Sequence, residues 1–301
     1  MEFRTLQYFL AVAREESISG AAEYLHLTQP TLSRQMQDLE KELGKPLFIR
    51  GSRKISLTES GYLLQKRAEE ITALVSKTTQ DIRWNGESVS GHVYIGAGET
   101  EAIHLPARAA HALQSAHPNI VLHIVSGDTP DVLSQLNRGL LDFGILFEPK
   151  DLSTYEYLEI PHTDVWGVLM REDAPLASVP QIAPSDLWDK PLILPRQHGT
   201  GSKLLRWLGK EENSLHISAT YSLLYNGAIL AEEGLGYALC LDHIINTADT
   251  PLCFRPLSPS LEVKIYIVWK KQQILSKPAA VFLQSLTDAL DTHSALTAPR
   301  P

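Results

Sequence analysis

Gln29, Ser33, Arg34 and Gln37 are the residues whose types and spacing suggest chemistry first. On a helix they share the side opposite an apolar stripe of Leu32, Met36, Leu39 and Leu43, which recurs at intervals of four, three and four. A guanidinium pairs with guanine edges and a carboxamide with adenine edges. A short helix presenting both near its N-terminus therefore suits the major groove of DNA. Thr28 is placed to cap that helix, its hydroxyl accepting from an otherwise orphan N–H. Pro30 falls in the first turn, where a missing N–H costs nothing. Thr28, Gln29, Pro30, Thr31, Ser33, Arg34 and Gln37 are thus the candidates for a DNA-reading face.

Other elements must hold that helix in place. Residues 2–15 predict an opening helix with Phe3, Leu6, Leu10 and Ala13 along one face. A second helix, small at Ala21 and Ala22, closes at Leu25-His26-Leu27 and lets a neighbour approach. After the reading helix a hairpin is expected over Leu47–Arg50 and Lys54–Leu57. Its turn is Gly51-Ser52-Arg53, where the glycine would supply a positive φ. Arg50, Arg53 and Lys54 on this hairpin are the candidate phosphate contacts. Thr58 then caps a helix running to about Arg83. Leu64, Ala68, Ile71, Val75, Thr78 and Ile82 make a heptad seam along it, and the expected use of that seam is dimerisation. Trp84-Asn85-Gly86-Glu87-Ser88 reads as a hinge.

The ordered set Ala21-Ala22-Glu23, Thr28-Gln29-Pro30-Thr31-Leu32-Ser33, Leu39-Glu40, Leu43-Gly44, Pro46-Leu47-Phe48, Arg50, Leu57-Thr58 and Gly61 resembles the winged helix-turn-helix of LysR-type transcriptional regulators. The resemblance implies a DNA-binding domain at 1–58 and a linker and dimerisation helix with hinge at 59–90. It also implies an effector-binding domain at 91–301, similar to type 2 periplasmic binding proteins. Its subdomain I would take about 91–162 and 267–295, and subdomain II about 163–266. The implied fold class is α/β, and the implied partners are an operator in double-stranded DNA, a small-molecule effector, further copies in a homodimer or homotetramer, and RNA polymerase.

The net charge of −8 is unevenly spread. Residues 1–58 hold eight Lys/Arg and seven Asp/Glu, whereas residues 59–301 hold 19 and 28. Phosphate affinity must therefore come from the local placement of Arg34, Arg50, Arg53 and Lys54, while the acidic remainder limits non-specific binding. No apolar run approaches the roughly 18 residues needed to span a bilayer. The N-terminal residues lack the basic stretch and cleavage site of a signal peptide. Cys240 and Cys253 form no metal or redox motif and read as free thiols in a reducing cytoplasm.

From Gly91 strands and helices alternate, as expected of α/β units. The two crossings between subdomains are expected near Pro161–Asp164 and Val263–Trp269. Ligands in such sheets bind beyond the carboxyl ends of strands, where helix N-termini offer bare N–H groups. Four segments fit that description: Gly96–Glu101, Ser126–Thr129, Pro195–Thr200 and Leu223–Asn226. The resemblance carries effector contacts over to Thr100, Glu101, Thr129, Phe147, His198 and Thr200, with Gly98 and Arg196 beside them. Glu99, Glu101 and Asp128 oppose a carboxylate effector, because each occupies the charge an anion would want; Arg196 and His198 are the compensating groups.

Enzyme readings find little support. There is no Gly-x-Ser-x-Gly, no His-Glu-x-x-His and no phosphate-loop lysine motif. His104 and His111 lack a third metal ligand, and Asp242-His243 lacks a nucleophile. No metal or cofactor is expected beyond the effector. The reading is a cytoplasmic regulator that binds an interrupted inverted repeat. The alternatives are a cytosolic ligand-binding protein whose N-terminal helices serve assembly, and an enzyme on the same two-subdomain fold.

Overall fold

A computed structural model describes residues 1–51, 54–82, 89–149, 151–196 and 203–297, without the side chains of Arg50, Gln80, Asp81 and residues 292–297. The chain forms two compact units, Met1–Trp84 and Asn85–Pro301.

In the first unit, helices α1 (Phe3–Glu15), α2 (Ile18–Tyr24) and α3 (Gln29–Leu43) precede a hairpin of β1 (Phe48–Arg50) and β2 (Ile55–Leu57), and α4 (Glu59–Ile82) follows. Leu6, Phe9 and Val12 of α1 meet Ala21 and Ala22 of α2 and Leu32, Met36 and Leu39 of α3 in one core. Leu43 lies outside it and is exposed, so the stripe on α3 buries three residues, not four. Gly51 does not adopt the expected positive φ. Its value is room: a Cβ there would lie 2.8 Å from the Lys54 carbonyl oxygen, where the Gly51 N–H donates back to the same oxygen at 3.0 Å.

The seam on α4 divides in two. Ala68 is fully buried and Leu64 half-buried, both packed in the core of the first unit. Ile71, Leu74, Val75 and Ile82 remain exposed within the described chain. The expectation that the whole seam serves a second chain is therefore corrected: its first two positions fasten α4 to the helices beneath it. α4 accordingly falls within the first compact unit.

The second unit is built on a sheet of nine strands in the order β4-β3-β5-β11-β6-β9-β7-β8, with β10 also paired to β6. The strands are β3 (Gly91–Ala97), β4 (Ile120–Ser126), β5 (Phe143–Phe147), β6 (Tyr155–Arg171), β7 (Leu192–Pro195), β8 (Ile217–Tyr221), β9 (Tyr237–Leu241), β10 (Leu252–Pro256) and β11 (Glu262–Lys270). Helices α5 (His104–Ala116), α6 (Thr129–Asn137) and α10 (Lys277–Thr297) accompany the first half of the sheet. Helices α7 (Pro184–Leu187), α8 (Lys203–Leu208) and α9 (Leu224–Glu232) accompany the second. Each half has a core on both faces. Those of the first centre on Phe143 with Phe282 and on Leu136 with Leu146; those of the second centre on Leu194 with Leu239 and on Ile193 with Ala238.

Where two strands were expected at 155–160 and 163–170, β6 is a single strand of 17 residues that runs through both halves. It pairs with β11 as far as Val165, then with β9 and β10 from Trp166 onward. The register slips at Lys264/Ile265, which face Thr163 and Ile160, so Pro161 and His162 are extra residues. Proline lacks the N–H a ladder needs and is accommodated by such a bulge without ending the strand. The second crossing also moves. β11 already lies in the first half from Glu262, so the return falls between Leu257 and Leu261, braced by Trp166, whose carbonyl accepts from the Leu257 N–H and whose N–H donates to the Leu261 carbonyl. The first half thus takes residues to 165 and from 262, and the second takes 166–261. β10 and α7 were not foreseen.

Candidate functional site

In the first unit the candidate reading face sits at the start of α3. Thr28 has extended backbone, and its Oγ1 accepts from the Thr31 N–H at 3.4 Å and lies 2.7 Å from the Thr31 hydroxyl. Both threonines are thereby engaged in starting the helix. Gln29, Pro30, Thr31, Arg34 and Gln37 are exposed and Ser33 is half-buried. The Arg34 side chain is 84% exposed, with Asp38 one turn on at 4.0 Å. The end of the same helix holds the hairpin: Glu40 Oε1 accepts from the N–H groups of Leu47 at 2.7 Å and Phe48 at 3.2 Å. Lys54 is exposed and ion-paired with Glu16, which raises its pKa. Its charge is therefore less available for a phosphate than the sequence implied. The Arg50 side chain and Arg53 lie outside the described residues.

The second unit contains a cavity of about 470 Å³ between the two halves of its sheet. The first half contributes Gly98 and Glu99 after β3, Ser126, Gly127 and Asp128 after β4, and Phe147 and Glu148 at the end of β5. From the second come Trp166, Tyr221, Leu223, Leu224, Leu241 and Ile244, with Lys203 and Arg206 on α8. Gly98 is required by close approach, since a Cβ would lie 2.6 Å from the Phe147 ring. The wall is mainly apolar with a few charged groups at strand ends and helix starts, as small-molecule sites generally are.

Of the expected effector contacts, Gly98 and Phe147 line this cavity, and Thr100, Glu101, Thr129 and Arg196 do not. Thr100 is buried, and its hydroxyl donates to Asp164 at 2.6 Å while accepting from the Ala102 N–H at 3.0 Å. The first contact ties the loop after β3 to the crossing strand, so the hydroxyl is already engaged within the chain. Glu101 faces His104 at 3.5 Å, Thr129 opens α6, and Arg196 is exposed beyond β7. His198 and Thr200 lie outside the described residues. Asp164 itself is buried and also meets His162 Nε2 at 2.8 Å. Burial raises its pKa, against the hydrogen bonds from Thr100 and His162.

Sequence reading missed Glu148, Trp166, Lys203, Tyr221 and Ile244. The Tyr221 hydroxyl donates to the Leu239 carbonyl at 2.7 Å, so it supports the wall without offering a free donor.

The first unit is a helix-turn-helix with an exposed polar face, and the second is a two-half α/β unit with a cavity between its halves. Residues 3–62 match the model of the bacterial regulatory helix-turn-helix proteins of the lysR family, and residues 86–291 match the LysR substrate binding domain. The chain belongs to the LysR family. It is a DNA-binding transcriptional regulator with an effector-binding domain. The Hca operon transcriptional activator HcaR of Escherichia coli K12 is 27% identical over 290 residues, covering 93% of this chain and 94% of that protein. The hydrogen peroxide-inducible genes activator of Dickeya chrysanthemi is 32% identical over 195 residues, which covers 64% of this chain and 63% of that protein. Full-length CbnR, solved in complex with its target DNA, shares the fold at a TM-score of 0.73 and 20% identity, covering 96% of this chain and 100% of that one. Full-length BenM matches at 0.53 and 24% identity, with both chains fully covered. Among the described residues no helix is long and apolar enough to cross a membrane.

Proposed function

We propose that this LysR regulator reads an interrupted inverted repeat through paired α3 helices, and that a small molecule in the cavity between the halves of the second unit biases its conformation. No catalytic step is part of this reading. The observation that carries it is the exposed Gln29–Gln37 face of α3, backed by the buried Leu32, Met36 and Leu39. Gln29, Ser33 and Arg34 read bases, and Arg50 and Arg53 neutralise phosphates, with Lys54 in a lesser share. The exposed Ile71, Leu74, Val75 and Ile82 of α4 are the surface for a second copy, giving a dimer or a pair of dimers. The protein acts in the cytoplasm, with RNA polymerase as the partner that receives the output. A ligand acts there by its differential affinity for two conformations.

One relative is named a hydrogen peroxide-inducible genes activator, but a reaction of peroxide with the thiols of this chain has no support. Cys240 and Cys253 are buried on β9 and β10, and burial raises both thiols. Peroxide reacts with an accessible thiolate, which is the form burial disfavours.

Retention on DNA from the region upstream of the protein's own gene, measured at stepped salt, tests the DNA reading. Affinity should fall steeply with salt, because each neutralised phosphate releases counterions. Absence of any retention at low salt would favour the ligand-binding protein without a DNA role.

A further inference from the structure

Three positively polarised features of the cavity wall each hold a carboxylate of the chain, and Arg206 of α8, a further cation on that wall, is itself engaged. At the start of α6, Asp128 accepts from the Asp131 N–H at 2.8 Å. At the start of α8, Lys203 pairs with Glu148 from the end of β5. The third case is non-local. Helix α9 begins without a side-chain cap from its own Leu223, and its first N–H, on the buried Leu224, donates to Glu99, 125 residues earlier in the chain. Among the described residues neither Glu99 nor Asp128 meets a cationic side chain. Backbone N–H groups are their described partners.

We infer that Glu99 is an internal ligand of the α9 N-terminus and sets the effector class, so that the cavity admits neutral or cationic molecules with an apolar body and turns carboxylates away. The inference rests on reading this cavity as the effector site. A free carboxylate would ordinarily seek a helix N-terminus, where bare N–H groups and the helix dipole favour an anion. Here that position is filled before any ligand arrives. An incoming acid would have to displace Glu99 or lie beside it, and like charges at short range repel strongly where water is excluded. An amine meets the opposite field. β3 and β4 pair in parallel with Ala97 opposite Ser126, and Glu99 and Asp128 each stand two residues beyond that pair. They therefore flank the same end of the cavity. Phe147, Trp166, Leu224 and Val263 supply the apolar wall for the rest of the molecule.

Three probes of one shape and different charge decide the matter: benzylamine, benzamide and benzoate, titrated by calorimetry and by thermal shift into the full chain. The wild type should bind benzylamine most tightly and benzoate at least tenfold more weakly. Glu99→Gln, which keeps an acceptor for Leu224, should weaken benzylamine about tenfold or more. Glu99→Ala, which bares the α9 N-terminus, should gain benzoate binding. Benzoate binding to the wild type as tight as benzylamine, or no gain of benzoate in Glu99→Ala, overturns the inference. Ser126→Trp fills the cavity and separates the two levels. Binding that survives it lies elsewhere and removes the cavity reading together with the inference. Equal binding of acid and amine that Ser126→Trp abolishes leaves the cavity reading standing and overturns the selectivity alone.

Discussion

The reading face of the first unit takes its residues from one fifteen-residue helix, started by a threonine three positions from its partner. The cavity of the second unit takes its wall from segments spread between Ala97 and Val263, and one of its helices is started by a glutamate 125 residues away. The difference teaches where side-chain availability comes from. On α3 the helix period alone turns polar groups outward and apolar ones inward. In the cavity a group is available only if no other part of the chain has claimed it. Thr100, Tyr221 and Glu99 are all claimed, by Asp164, Leu239 and Leu224.

The largest effect should come from the local architecture. Leu32 is fully buried beneath the reading face, so Leu32→Ala should destabilise the first unit by about 2–5 kcal/mol. Chemical denaturation checks this, and a cost below about 1 kcal/mol would mean that the face lacks the rigid backing assigned to it. A charge at Ile71 tests the exposed part of the α4 seam. Ile71→Glu should cost assembly about 1–3 kcal/mol if that surface is buried between copies. Sedimentation should then report smaller species, and unchanged assembly would place the interface elsewhere.

The local helix caps of the two units can be compared next. Thr28→Ala and Asp128→Ala each remove a side-chain cap, and each should cost about 0.5–2 kcal/mol in denaturation. The first should also weaken DNA binding, whereas the second should alter ligand binding and leave DNA retention unchanged. The reverse pattern would break the assignment of roles to the two units.

The smallest expected effect concerns pH. Burial holds the Asp164 carboxyl above its ordinary value of 3.8. A carboxyl raised on folding contributes its full stability below the unfolded pKa and loses it as pH rises through the folded one. The stability of wild type relative to Asp164→Asn should thus decline as pH rises from about 4 until Asp164 is ionised, and no further after that. Paired melting curves across that window check the sign. A difference that grows with pH would show that the Thr100 and His162 contacts outweigh burial.

Much of the first unit is legible in sequence because its determinants are short-range. The Thr28 cap, the Leu32, Met36 and Leu39 stripe and the β1–β2 hairpin are set by neighbours within a few positions. The division of the α4 seam was not legible, since burial of Ala68 against α1 is a tertiary contact that a heptad pattern cannot report. In the second unit the strand ends that surround the cavity follow from the α/β alternation, and Gly98, Asp128 and Leu224 were within reach. The unbroken β6 was not, because Pro161 reads as a terminator until Lys264 and Ile265 are seen to accommodate the bulge. Nor was the position of Thr100, which depends on a hydrogen bond to a residue 64 positions away.

The most direct test of the DNA-reading account pairs Arg34→Ala with Lys54→Ala in gel-shift titrations on the operator and on random DNA of equal length. Arg34 is 84% exposed on the reading face, whereas Lys54 is already paired with Glu16. Arg34→Ala should cost about 1–3 kcal/mol on the operator and little on random DNA, as expected for a base contact. Lys54→Ala should weaken both alike and by less. Unchanged operator binding in Arg34→Ala, or equal losses on both DNAs, would contradict the assignment of α3 as the element that reads sequence.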